Sequence, residues 1–209
     1  MNLDNVSLIK IGNGSEVSFM KLGNGPIVYQ KDAIPLYNYG EFFFNETITE
    51  VETRINSVHT SLNSMFIQCF NLQTVNITGW NKNNGRVTNM YMMFYICRSL
   101  TTVNTADFDV SGVKDMASMF SGCISLTSLD LSNWDISDAT DTGKMFYNCN
   151  ALCELRLDNC NYTTIKKIVN LSSLPTGTID GATRKIYCKQ ENAPDEAYLP
   201  NGWEFIYVS

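Results

Sequence analysis

Seven cysteines and nine methionines among 209 residues are the side chains here best suited to chemistry, since thiolates and thioethers hold soft metals and thiolates attack carbonyl carbon. Four of the cysteines (Cys69, Cys97, Cys123 and Cys149) close one short motif, Met-Phe-x-x-Cys, begun at Met65, Met93, Met119 and Met145. Structural zinc sites use paired C-x-x-C ligands, whereas Cys149, Cys153 and Cys160 are separated by three and six residues and would need Cys188 or a carboxylate as a fourth ligand. Seven of the nine methionines fall between Met65 and Met145 in phase with the motif, which points to core filling over a thioether site. His59 is the only imidazole, and no motif sets a nucleophile beside it. Asp107 with Asp109, or Asp130 with Asp135, would be a carboxylate pair for glycoside hydrolysis, but they recur with the motif and read as a solvated strand face and corner. The Asn-Gly loops lack the context of a phosphate cradle. No catalytic residue, no metal and no cofactor is expected.

Fifteen Lys and Arg against twenty-one Asp and Glu give a net charge of −6 with no basic run. Nothing here neutralises a line of phosphates, so nucleic acid and anionic membrane surfaces are excluded as expected partners. The first twenty residues alternate and form no secretory signal of the usual kind. Apolar runs such as Phe42 to Phe44 fall far short of the ~18 residues that span a bilayer, so a soluble chain without membrane insertion is expected. The cysteines are too sparse for a disulfide scaffold, and the Cys column is read as reduced, buried thiols.

The element that must position these residues is a repeat, with motif steps of 28, 26 and 26. Three residues after each Cys comes Leu (Leu72, Leu100, Leu126, Leu152), and three further on Val75, Val103, Leu129 or Leu155. Two beyond that stand Ile77, Leu131 and Leu157, with Thr105 breaking rank in the second unit. A large ring follows at Trp80, Phe108 and Trp134, replaced by Cys160 in the fourth unit. Alternation at Leu129-x-Leu131 reads as a short strand. Val113, Met116, Met119 and Phe120, spaced three, three and one, read as one face of a helical turn. Each unit is thus expected to be strand, corner and short helix, and units stacked at the ~4.8 Å strand spacing cover one another's apolar faces. The fold class is α/β, a solenoid of about four coils.

These units, of which Met119 to Trp134 is the cleanest copy, resemble the leucine-rich repeats of BspA-like bacterial surface proteins, in particular the 26-residue surface-protein repeat. The resemblance covers about residues 58 to 160 and implies a right-handed leucine-rich-repeat solenoid used for adhesion and protein binding without catalysis. The longer first step, Thr105 and Cys160 depart from the pattern.

Residues 6 to 30 hold three alternating runs (VSLIKI, SEVSFMKL, PIVYQK) separated by two Gly-Asn-Gly turns, which predicts an N-terminal β-meander over residues 1–31. Its paired K-[I/L]-G-N-G segments resemble N-terminal pieces of phage and prophage virion proteins, implying an attachment piece; a plain cap over the first coil is the alternative. Residues 32–57 form a lead-in with an aromatic cluster and a polar, helix-compatible stretch, ETITEVETRI. The solenoid occupies 58–165, and 166–209 form a C-terminal cap in which TRKIYCK and WEFIYVS pair as a β-hairpin.

With Leu129 and Leu131 turned inward, Ser128, Asp130 and Ser132 point outward onto a concave sheet. The same phase selects Thr74, Asn76 and Thr78, then Thr102 and Asn104 with Ala106, then Glu154, Arg156 and Asp158. Their hydroxyl, amide and carboxylate groups suit a protein or a surface glycan. The expected function is a non-enzymatic interaction or adhesion module: first a phage or prophage virion component for display or host attachment, contacting other virion proteins through the meander and homo-oligomeric by symmetry. The alternative is a BspA-like adhesin module on the bacterial cell surface or secreted.

Overall fold

The computed structural model describes residues 6–11, 16–20, 48–54, 61–78, 87–106 and 108–209. The elements are β1 (Val6–Ile11), β2 (Glu16–Met20), β3 (Ile48–Arg54), β4 (Thr74–Thr78), β5 (Thr102–Asn104), β6 (Ser128–Asp130), β7 (Glu154–Arg156), α1 (Tyr162–Leu171), β8 (Arg184–Cys188) and β9 (Trp203–Tyr207). They form a five-stranded sheet, β2-β1-β3-β4-β5, and a four-stranded sheet, β6-β7-β8-β9. Pairing is parallel from β3 through β5 and from β6 through β9, as required when each strand begins a new coil.

The interior is a set of columns, one residue per coil. Phe66, Phe94, Phe120 and Phe146 are fully buried, and their rings stack face to face at centroid distances of 5.3, 5.3 and 5.8 Å. Beside them run the columns Leu72, Leu100, Leu126, Leu152 and Val75, Val103, Leu129, Leu155, all buried. Each unit alone would leave these side chains wet on two sides, so burial comes from stacking neighbours. Met65, Met90, Met93, Met116, Met119 and Met145 fill the same core, while Met92 stands half-exposed at a left-handed backbone position.

The expected short helix of each unit is not formed. Residues 62–72 instead run as tandem turns in which the N–H groups of Met65, Ile67, Cys69 and Leu72 each bond three residues back. The intervening N–H groups leave the coil: Leu62, Ser64, Phe66 and Gln68 donate to the carbonyls of Asn89, Tyr91, Met93 and Tyr95. The physical reason is the left-handed backbone at Ser64 and Gln68, Met92 and Ile96, Ser118 and Gly122, and Lys144 and Asn148, which no right-handed helix can propagate through. The spacing of three, three and one is shared by a helical face and by this turn chain. Every second N–H thereby ties one coil to the next, making a second ladder opposite the strands.

Three further expectations change. TRKIYCK and WEFIYVS do not form a hairpin: β8 and β9 are neighbours but parallel, joined through two single 3-10 turns, so they extend the coil stack. β1 and β2 do pair as an antiparallel hairpin, but the other neighbour of β1 is β3. The polar stretch read as helix-compatible is therefore a strand at Ile48–Arg54, while the PIVYQK run lies outside the described residues. Nor is the ladder continuous, since it divides between β5 and β6. That division falls at Thr105, the residue that breaks the repeat. Its hydroxyl donates to the carbonyl of Asp130, whereas the equivalent Leu131 and Leu157 donate backbone N–H to Arg156 and Tyr187.

Candidate functional site

None of the seven cysteines forms a disulfide, and five of their thiols donate to backbone carbonyls. The thiols of Cys97, Cys123 and Cys149 donate to the carbonyls of Phe66, Phe94 and Phe120 at 3.0, 3.2 and 3.0 Å. Cys160 donates to the carbonyls of Leu131 and Trp134. The motif Cys is thus a small apolar filler that also satisfies a buried acceptor of the preceding coil. Burial pushes the Cys149 and Cys160 thiols up to about 12 and raises those of Cys97 and Cys123 well above their ordinary value. Such thiols are poor nucleophiles and poor metal ligands at neutral pH. Cys153 is half-buried, with its thiol directed to the carbonyl of Thr127 at 3.3 Å.

The carboxylates proposed as pairs are engaged in the backbone. Asp130 and Asp135 each accept the N–H two residues on, from Ser132 and Ser137, at 2.9 and 3.0 Å. Asp109 does the same with Ser111, and the side chain of Asp107 lies outside the described residues. Hydrogen bonds from Ser137 hold the Asp135 carboxyl below the usual carboxylate range. A column that the sequence reading missed, Ser61, Asn89, Asp115 and Asp141, is bridged in register from coil to coil and caps the turn before each motif in the same way. Its signal is an oxygen-bearing side chain four residues before each motif Met. His59 lies outside the described residues. Among the described residues no group of three or more His, Cys, Asp and Glu could hold a metal ion, and no helix is long and apolar enough to cross a membrane.

The outer face of the strands carries polar side chains that are free to meet a ligand. β5 and β6 alternate exposed, buried, exposed, with Leu129 and Leu131 inward and Ser128 and Asp130 outward. Thr74 and Asn76 stand beside Thr102 and Asn104, and Ser128 and Asp130 beside Glu154 and Arg156. The amides join across coils, with Asn104 Nδ2 donating to Asn76 Oδ1 at 3.0 Å. Thr78 belongs to β4, but its side chain is outside the described residues. Ser132 and Asp158 are less available than the alternation implies, because Ser132 Oγ and Asp158 Oδ1 are buried. Asp158 Oδ2 pairs with the guanidinium of Arg156, which lies 4.9 Å from the Tyr187 ring centroid.

The face also includes residues that the sequence reading assigned to a hairpin cap. Register places Lys185 beside Glu154, Tyr187 beside Arg156, and Glu204 beside Lys185. The sequence signal was the alternation of Arg184, Ile186 and Cys188, all buried, with Lys185 and Tyr187 between them. Arg184 itself is spent inside, its guanidinium donating to the carbonyls of Leu152, Asn150 and Gly177. The face thus has an end of hydroxyls and amides on β4 and β5, one carboxylate beside a hydroxyl on β6, and an end of mixed charge on β7 to β9. The opposite turn ladder exposes Ile124 and Tyr147.

No curated protein matches the chain. Two solved structures are similar to it. One is a leucine-rich cell surface protein from Faecalibacterium prausnitzii A2-165, at 16% identity and a TM-score of 0.43, covering 90% of this chain and 38% of that one. The other is a leucine-rich repeat protein from Bacteroides ovatus, at 17% identity and a TM-score of 0.44, covering 85% of this chain and 47% of that one. The chain spans less than half the length of either. A family model described as Mycoplasma protein of unknown function, DUF285, matches residues 60–174, more than half of the chain and all four Met-Phe-x-x-Cys copies, and the chain belongs to that family.

Proposed function

We propose that this chain is a non-catalytic binding module of a bacterial surface, and that its polar strand face on β4 to β6 engages a hydroxyl-rich ligand such as a glycan. The observation that carries this reading is the set of outward side chains Thr74, Asn76, Thr102 and Asn104, in register on β4 and β5, with Ser128 and Asp130 exposed on β6, over a buried aliphatic column. The amides and hydroxyls there both donate and accept, and the Asp130 carboxylate accepts, which matches the mixed donors and acceptors of sugar hydroxyls. A non-catalytic role fits side chains already committed elsewhere: thiols to carbonyls, and Asp109, Asp130, Asp135, Asp115 and Asp141 to turn N–H groups. The surface placement is favoured over the virion because the matching family is described from a cellular organism, Mycoplasma. The virion reading rested on the paired K-[I/L]-G-N-G segments, and no other observation supports it.

The test is binding of the purified chain to arrayed neutral oligosaccharides, wild type beside Asn104→Arg and beside Lys144→Glu on the turn ladder. The expected result is retention by wild type and by Lys144→Glu, with at least ~10-fold weaker retention of Asn104→Arg, the scale of one lost polar contact plus a steric clash. Equal retention of both variants overturns the assignment of the face. Turnover of any arrayed sugar overturns the non-catalytic reading.

A further inference from the structure

The charged end of the strand face complements itself. Along the outward row of β7 to β9, Glu154, Lys185 and Glu204 alternate in sign, and in the row beside it Arg156 precedes Tyr187. The usual purpose of such alternation is cross-strand pairing within the chain. Here neither Glu154 nor Lys185 makes an ion pair among the described residues, although they are Cα partners in adjacent strands. Arg156 is different: Asp158 fixes it from below, leaving a preorganised guanidinium half-exposed above Tyr187.

We infer that this end of the face is a docking surface for a second copy of the chain, related by a two-fold axis that runs along the strands between β7 and β8. Such an axis exchanges β7 with β8 and β6 with β9 while keeping each row in place. Glu154 of one copy then meets Lys185 of the second, and Arg156 meets Tyr187 of the second. Each contact is made twice, as an isologous interface requires. Charged groups opposed in this way set the register of a complex as well as its rate of formation. The outer exchange places Ser128 against Glu204 and Asp130 against Ile206, so no like charges are directly opposed. Four strands at ~4.8 Å spacing make a strip only ~15–20 Å across. That is below the ~800 Å² per partner of a standard interface, so the dimer is weak and salt-sensitive.

This inference goes beyond the glycan reading; the two surfaces share only β6, and Asn104→Arg on β5 and Glu154→Lys on β7 probe strands outside that overlap, so the two fail separately. Sedimentation equilibrium of the full chain at low ionic strength, from ~10 μM to ~1 mM, is expected to show reversible dimerisation in this weak range. Glu154→Lys alone and Lys185→Glu alone are each expected to weaken it at least ~10-fold, since each opposes like charges twice. Mixing the two variants restores opposite charges at both contacts, and a heterodimer within ~3-fold of the wild-type affinity is expected. That rescue also shows that both variants are folded. A wild-type chain that stays monomeric at ~1 mM overturns the inference, as does a mixture that associates no better than either variant alone.

Discussion

Phe120 sits fully buried between Phe94 and Phe146, so truncating it opens a cavity that the backbone ladders on both sides cannot close. Phe120→Ala is expected to cost ~3–5 kcal/mol and Leu129→Ala ~2–5 kcal/mol by denaturant unfolding. Asp130→Asn, which keeps the oxygen that accepts the Ser132 N–H, is expected to stay within ~0.5 kcal/mol. Equal losses at Leu129 and Asp130 would mean the strand phase is reversed. The thiols make a pH prediction. Cys149 and Cys160 titrate near 12 in the folded chain, above the ~8.5 of an unfolded thiol. The folded state therefore holds more protons between these values, and its stability is intact below pH ~8.5 and declines as pH rises toward 12. The unfolding midpoint is expected to be lower at pH 10 than at pH 7.5, and Cys149→Ala with Cys160→Ala should flatten that slope. At neutral pH, mass spectrometry after brief alkylation of the native chain is expected to find the half-buried Cys153 modified ahead of the six buried cysteines.

At the level of elements, the turn chains depend on backbone conformations that most side chains resist. Lys144 is exposed with φ of 55°, so Lys144→Gly is expected to raise stability by up to ~1 kcal/mol, read as a higher Tm. Gly122 takes the matching place of Asn148 in the next coil, and a Cβ there would lie 3.0 Å from Ile96, so Gly122→Ala is expected to lower Tm. These positions explain what the sequence conceals. Alternation at Leu129 and Leu131 and the spacing of the Phe residues are direct consequences of strand and coil geometry, so strand phase and column were legible. Left-handed residues that are Ser, Met, Gln, Ile, Lys or Asn carry no compositional mark, so a turn chain passed for a helix. Alternation is likewise the same in parallel and antiparallel pairs, which is why β8 and β9 passed for a hairpin. Gly202, just before β9, is glycine because a Cβ there would lie 2.3 Å from the Gly177 carbonyl oxygen. Among the described residues the one α-helix, α1, is capped by Asn161, whose side chain accepts the Thr164 N–H at 2.9 Å. Asn161→Ala is expected to cost ~1 kcal/mol by loss of that cap.

On the scale of the whole molecule, the side chains best suited to chemistry are consumed in holding coil to coil, and the surface left over is divided. The polar strand rows of β4 to β6 stand on one side, and the turn ladder, with Ile124 and Tyr147 exposed, on the other. The candidate face was legible in the sequence as far as Asp158 because it follows the repeat; Lys185, Tyr187 and Glu204 were not, because the coils they belong to lack the motif. The most direct measurement is a hydroxyl-radical footprint of the chain bound to an oligosaccharide it retains. Protection concentrated on Thr74 to Asn76, Thr102 to Asn104 and Ser128 to Asp130 is the predicted result; protection of Ile124 and Tyr147, with those strands unchanged, would contradict the account.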